Sequence, residues 1–299
     1  MASRPRLAVT LGDPRGIGPE VVARALATPL DAEITLIGAD DQIAEPTAAR
    51  KVGVGAWEKG QGEEAAGRLA GRSVEHAVRL ALAGEVDAIV TGPVNKHALH
   101  RAGFRYPGLT ELLSHLTGDS EVAMMLAAGG LRVVLVTTHL PLREVPDQIT
   151  TERVVRVGRI AQTALSRWWG IERPRLAVCA LNPHAGEEGL FGKEDAAVLR
   201  PAAELLGATG PLPADTVFVR ALRGEFDAVL APYHDVGMTA IKVAGFGKGV
   251  NVTLGLPFPR TAPDHGTAFD IAGKGVADPG SMRAALELAV ELSRRTLGR

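Results

Sequence analysis

One cysteine, Cys179, is all the chain carries, so neither an intrachain disulfide nor a thiolate zinc cluster is open to it. No apolar run approaches the ~18 residues of a membrane span. The N-terminal stretch MASRPRLAVTLGDPRG breaks at Gly12 and Pro14 before a signal-peptide core could form. With a formal net charge of −1 and a pI near 6.7, neither nucleic acid nor an anionic membrane has an electrostatic claim on the protein. Internal repeats, heptads, low-complexity segments and a Pro/Ser linker are missing as well. The expectation is a cytoplasmic protein.

What is present is an ordinary globular composition, 46% hydrophobic and 22% charged over 299 residues, enough for two domains or one large α/β unit. Short apolar runs alternate with helical patterns. RLAVTLG, EITLIGA, VDAIVTGP, LRVVLVTTH, RLAVCALNPH and FDAVLAPYH read as strands, and helices are expected over 19–27, 71–83 and 151–169. Residues 45–70, rich in Gly, Ala and Glu, read as irregular. Alternation of this kind argues for mostly parallel sheets with helices on both faces.

The chemistry concentrates between Pro232 and Pro279, where His234, Asp235, Lys242, Lys248, Asn251, Arg260, Asp264, His265 and Asp270 are threaded among glycines. That mixture is a poor recipe for a core and suits a loop system around a charged ligand. Three strands end alike, with His139, His184 and His234 at or just past their carboxyl ends. A single histidine there is ordinarily a hydrogen-bonding loop residue. Three at the ligand-binding edge of a parallel sheet favour a shared divalent-metal site with an open fourth position, Asp235 being near enough to assist. The loop GDPRGIGPE, between a strand and a helix, could cradle an anion, although it is neither GxGxxG nor GxxxxGKS. In TGPVNKHALHRAG, Asn95 and Lys96 read equally well as site residues and as a solvated helix start.

Taken in order, GDPRGIGPE, TGPVNKHALHRAG, TTHLPLREV, LNPHAGEEGLFGKED, LPADTVF and PYHDVGMTAIKVAGFGKGVNVTLGLPFPRTAPDHGTA resemble the 4-hydroxythreonine-4-phosphate dehydrogenase (PdxA) family over nearly the whole chain. DHGTAFDIAGKGVADP also resembles the adenosine-binding loop of the isopropylmalate and isocitrate dehydrogenases. The resemblance implies two α/β/α domains, 1–120 plus 255–299 and 121–254, the second carrying the metal ligands and the dimer interface. It places the active site in the interdomain cleft of a homodimer with shared sites. It implies one divalent ion (Zn, Co or Mg) held by His139 and His184 of one subunit and His234 of the other. Thr110, Asp215, Asp235, Lys242, Asn251 and Arg260 become substrate contacts. Lys242, Asp235 and Asp215 are the catalytic candidates among them. NAD or NADP lies along Gly266, Thr267, Ala268, Asp270, Gly273 and Asp278.

The implied reaction oxidises 4-phosphooxy-L-threonine and then decarboxylates the product, a step of pyridoxal phosphate biosynthesis. The ion lowers the pKa of the alcohol as hydride leaves for NAD, and Lys242 or Asp235 takes the proton. Arg260, Lys242 and Asn251 have the character of a phosphate or carboxylate clamp. Two departures stand out. The segment between Ala39 and Gly71 is short, and the family's G-H-T-E reads Gly108-Leu109-Thr110-Glu111. Leucine cannot give the substrate contact that the histidine makes, which keeps threonate or erythronate 4-phosphate, or a cis-dihydrodiol, as alternative substrates. A metal hydrolase using the same histidines and a catalytically silent binding protein are the other readings. Binding of NAD opposes the first and NAD reduction the second.

Overall fold

The computed structural model describes residues 4–43, 50–58, 60–245 and 247–297. The chain divides into two compact units, Met1–Glu121 with Val250–Arg299, and Val122–Gly249. The first unit opens with β1 (Arg6–Thr10), α1 (Gly18–Leu26), β2 (Glu33–Gly38), β3 (Arg50–Gly53), α2 (Glu63–Leu82), β4 (Ala88–Thr91), α3 (Lys96–Arg101) and α4 (Leu109–Leu116). The second contains β5 (Ala123–Ala128), β6 (Leu131–Leu135), α5 (Val145–Gln148), α6 (Thr151–Trp169), β7 (Leu176–Cys179), α7 (Arg200–Leu206), β8 (Thr209–Leu212), α8 (Ala214–Leu222), β9 (Ala228–Ala231) and α9 (His234–Gly245). The chain then returns to the first unit with β10 (Val250–Leu254), β11 (Arg260–Pro263) and α10 (Gly280–Leu297).

Strands of the first unit run in the order β3-β2-β1-β4-β11-β10, parallel except for the β10/β11 pair. The second unit has β5-β6-β9-β7-β8, parallel except for β5/β6. The fold is therefore α/β with mixed strand directions. Every residue of β4, β7 and β9 is buried, as strands covered on both faces require. The antiparallel pairing of β10 with β11 ties 250–254 to the first unit, whereas the sequence reading places them in the second.

Two expectations about helices need correcting, and glycine is the cause of both. Helix α2 begins at Glu63, inside the stretch expected to be irregular; residues 45–49 and 59 of that stretch lie outside the described residues. Its Gly67 and Gly71 are points of close packing: a Cβ would lie 1.9 Å from the Ala98 carbonyl oxygen at the first and 2.1 Å from Phe104 Cε2 at the second. Likewise, the expected loop system after Pro232 contains helix α9 and strands β10 and β11. A Cβ on Gly237 would meet Leu135 Cδ2 at 2.8 Å, so glycine lets α9 lie down on β6. Helix α6 matches its expected span because it is punctuated: Thr150 accepts from the Arg153 N–H at 3.2 Å, and Gly170 closes the end with φ of 69°.

Candidate active site

In the second unit β6 and β9 are parallel neighbours with Leu135 opposite Ala231, so the segments that follow leave from the same edge. That register brings His139, in the loop after β6, beside His234, the first residue of α9, with ring centres 5.5 Å apart. Two imidazoles on one zinc-like ion, at Zn–N of about 2.0–2.1 Å, stand with ring centres roughly 5 Å apart, so the pair has the spacing of co-ligands. His234 Nδ1 lies 2.7 Å from Asp235 Oδ1. Facing a carboxylate, Nδ1 carries the proton and Nε2 keeps its lone pair for a cation, a carboxylate–histidine arrangement common around bound metals. Asp235 is itself largely exposed. Lys242 lies two turns further along α9, and Asp215 in the first turn of α8; both are exposed.

His184 follows β7, the parallel neighbour of β9, and so leaves from the same edge. Its ring centre is 6.3 Å from that of Phe191. Among the described residues no three His, Cys, Asp or Glu side chains of one chain form a group able to hold a metal ion. Within a chain the rings of His139 and His234 lie side by side. His184 also opens a run of six residues with positive φ: 53°, 56°, 80°, 39°, 55° and 96° from His184 to Gly189. Among them only Gly186 and Gly189 take that region at no cost. For each of the others it costs about 1–2 kcal/mol, so the surrounding structure has to impose the turn.

The first unit contributes a buried cation. Arg260 on β11 is 4% exposed; it donates to Thr253 Oγ1 at 3.0 Å and to Thr91 Oγ1, and its Nε has no partner. Burial lowers its pKa to about 10. On β10, adjacent to β11, the buried Oδ1 of Asn251 also lacks a partner. An unsatisfied guanidinium N–H beside an unsatisfied amide is the character of a site for an anion that also carries a donor. Thr110 is half-buried in the first turn of α4, next to Leu109.

Residues 264–279, which include the positions expected to bind the cofactor, connect β11 to α10. Gly266, Asp270, Gly273 and Asp278 are exposed along this loop, Thr267 and Ala268 half-buried. Ala268 and Gly273 have φ of 42° and 73°. The loop is braced by the N-terminal glycine segment. Ile17 N–H donates to the Thr267 carbonyl at 2.9 Å, Ala277 N–H to Glu20 Oε1 at 2.9 Å, and Arg24 to the Ala277 carbonyl. A Cβ on Gly16 would lie 2.8 Å from the Thr267 oxygen. Arg15, forked onto the fully buried Asp13, stacks over Phe269 with 4.8 Å from guanidinium carbon to ring centre. Glu20, Arg24 and Gly16 thus serve the loop, and no spacing rule could have marked them. His265 has its Nδ1 3.1 Å from the Gly266 carbonyl, and its buried Nε2 has no partner. With Nδ1 donating, Nε2 is an acceptor, suited to an amine-bearing ligand such as adenine. Asn95 is the N-cap of α3, accepting from the Ala98 N–H at 2.8 Å, as a helix start requires.

The family model for the pyridoxal phosphate biosynthetic protein PdxA matches residues 9–289. A 4-hydroxythreonine-4-phosphate dehydrogenase of Erythrobacter litoralis is 45% identical, the match covering 97% of this chain and 97% of that protein. The D-threonate 4-phosphate dehydrogenase of Salmonella typhimurium is 43% identical over 96% of this chain and 98% of its own. The crystal structure of the Klebsiella pneumoniae 4-hydroxythreonine-4-phosphate dehydrogenase superposes with a TM-score of 0.86 at 40% identity, covering 98% of this chain and 99% of that one. The chain belongs to the PdxA family.

Proposed function

We propose that this protein is an NAD-dependent, divalent-metal-dependent dehydrogenase that oxidises 4-phosphooxy-L-threonine to 2-amino-3-oxo-4-phosphooxybutanoate. Loss of CO2 then gives 3-amino-2-oxopropyl phosphate for pyridoxal phosphate biosynthesis. The observation that carries the reading is the His139–His234 pair, spaced as co-ligands and backed by Asp235. His139 and His234 of one chain hold the ion, and His184 of a second copy completes it, making the homodimer the working unit. A divalent cation held there would supply the acidification of the substrate alcohol, and bound NAD would supply the hydride acceptor. Lys242 receives the alcohol proton, directly or through Asp235. Arg260 and Asn251 bind the anionic end of the substrate, joined by Thr110, and Asp215 contacts its polar groups. NAD lies along Gly266, Thr267, Ala268, Asp270, Gly273 and Asp278, with the adenine at His265.

A second reading, oxidation of D-threonate 4-phosphate, is favoured by two observations. A relative of that activity is almost as similar as those named for 4-hydroxythreonine 4-phosphate. In addition, Leu109 presents an apolar edge in the first turn of α4. Both substrates carry a phosphate and an oxidisable secondary alcohol, so the chemistry is shared. NADH formation at fixed divalent metal, measured with each phosphorylated substrate and its free hydroxy acid, separates the two. The first reading predicts the higher kcat/KM with 4-phosphooxy-L-threonine. No NADH from any of the compounds would remove both.

A further inference from the structure

Asp195 is fully buried, and no step of the reaction described above uses it. Its Oδ1 accepts from the Leu181 N–H at 2.8 Å, and its Oδ2 from the Asn182 N–H at 3.1 Å and from Asn182 Nδ2 at 2.9 Å. These two peptide units lie immediately before Pro183 and His184. The neighbouring Glu194 takes Asn182 Nδ2 as well, at 2.8 Å. The segment beyond His184 is folded back onto the same anchor. Phe191 N–H donates to the Gly186 carbonyl at 3.1 Å, and a Cβ on Gly192 would lie 2.6 Å from Asn182 Nδ2. A carboxylate suits this place because its two acceptor oxygens meet three donors from two directions. An amide offers one oxygen and would set an N–H against an N–H.

We propose that Asp195 is the positioning residue for His184: by fixing the backbone of Leu181 and Asn182 it imposes the left-handed turn from His184 to Glu188 and aims the imidazole before any ion arrives. The proposal rests on His184 being a metal ligand, and it explains how a run of strained residues persists at an exposed edge. Strained conformations survive where neighbouring structure over-determines them. Partners behind a ligand commonly govern affinity as strongly as its own bond to the metal.

The test uses the full-length protein and cobalt(II). Wild type, Asp195→Asn, Asn182→Ala and His184→Ala are compared in cobalt affinity by chelator competition, in the visible spectrum of the bound cobalt, and in amide exchange of the metal-free protein. Asp195→Asn is expected to bind cobalt about 10- to 100-fold more weakly. Its cobalt spectrum should move towards that of His184→Ala, with faster exchange concentrated in residues 181–191. Asn182→Ala, which leaves both backbone donors on Asp195, is expected to show a smaller loss of the same kind, and it decides the matter if Asp195→Asn does not fold. Wild-type cobalt affinity and spectrum in the folded Asp195 variant, or in Asn182→Ala if it stands alone, would reduce Asp195 to a core carboxylate and overturn the proposal. Wild-type affinity in His184→Ala would instead overturn the reading of His184 on which the proposal rests.

Discussion

The imidazoles of His139 and His234 stand 5.5 Å apart, centre to centre, within one chain, and Asp235 engages Nδ1 of the second at 2.7 Å. Parallel pairing of β6 with β9 produces that relationship, because it sends both strand ends to one edge. If the carboxylate orients His234 for a cation, Asp235→Asn should weaken metal binding about 10- to 100-fold. Because Asp235 is exposed, the thermal midpoint of the metal-free protein should move little. Metal titration and melting of the same variant check both halves. Unchanged metal affinity would reduce the His234–Asp235 contact to a surface hydrogen bond.

Arg260 supplies a prediction with an unusual sign. Burial lowers its pKa to about 10, so folding disfavours its proton. Below about pH 10 the buried charge therefore opposes folding, and the penalty fades as pH rises from there towards the ordinary arginine value. An anion bound at Arg260 offsets that penalty. Arg260→Met should leave the unliganded protein equally stable or more so, while raising KM for a phosphorylated substrate about 100-fold or more. Melting with and without inorganic phosphate reads this directly. Phosphate should raise the midpoint of wild type and leave the variant unmoved. A variant that still responds to phosphate would place the anion elsewhere.

Much of this was legible in the chain. Short apolar runs that end in histidine name both the strands and the loops that carry His139, His184 and His234. What stayed hidden depends on contacts between distant residues. Gly67 and Gly71 look like helix breakers until Ala98 and Phe104 are seen against them, and Gly237 looks like loop until it meets Leu135. The antiparallel turn-back that pairs β10 with β11 has no signature separating it from a parallel connection, so the unit boundary was displaced. Which histidines are neighbours along that edge depends on strand order, and apolar patterning leaves strand order open. Asp195 is one acidic residue in a motif with several; only its complete burial distinguishes it.

The N-terminal glycine loop can be tested separately from the metal. Gly16→Ala would push a methyl group against the Thr267 carbonyl, 2.8 Å away, and displace the segment carrying Thr267 and Ala268. The expected result is a KM for NAD raised about tenfold or more, with metal affinity unchanged, the tenfold corresponding to ~1.4 kcal/mol. Steady-state kinetics with varied NAD check it. An unaltered KM for NAD would show that this loop does not hold the cofactor.

Leu109 bears on which substrate is preferred. A histidine there could donate a charge-assisted hydrogen bond to an anionic substrate, and such a bond is worth roughly 1.5–3 kcal/mol, or about 10- to 100-fold in affinity. Leu109→His is therefore expected to lower KM for 4-phosphooxy-L-threonine within that range. Efficient use of this substrate by the wild type, with no change in the variant, would make leucine a neutral replacement.

The account's central claim is an ion shared between two copies, with His139 and His234 from one and His184 from the other. Turnover by mixed dimers tests it most directly. Each of His139→Ala, His184→Ala and His234→Ala is expected to be inactive alone. After subunit exchange, His139→Ala mixed with His184→Ala should recover NADH formation, since each heterodimer then holds one intact site. His139→Ala mixed with His234→Ala should recover none. Recovery in the second mixture and not in the first would contradict the account and return His184 to the chain that supplies His139.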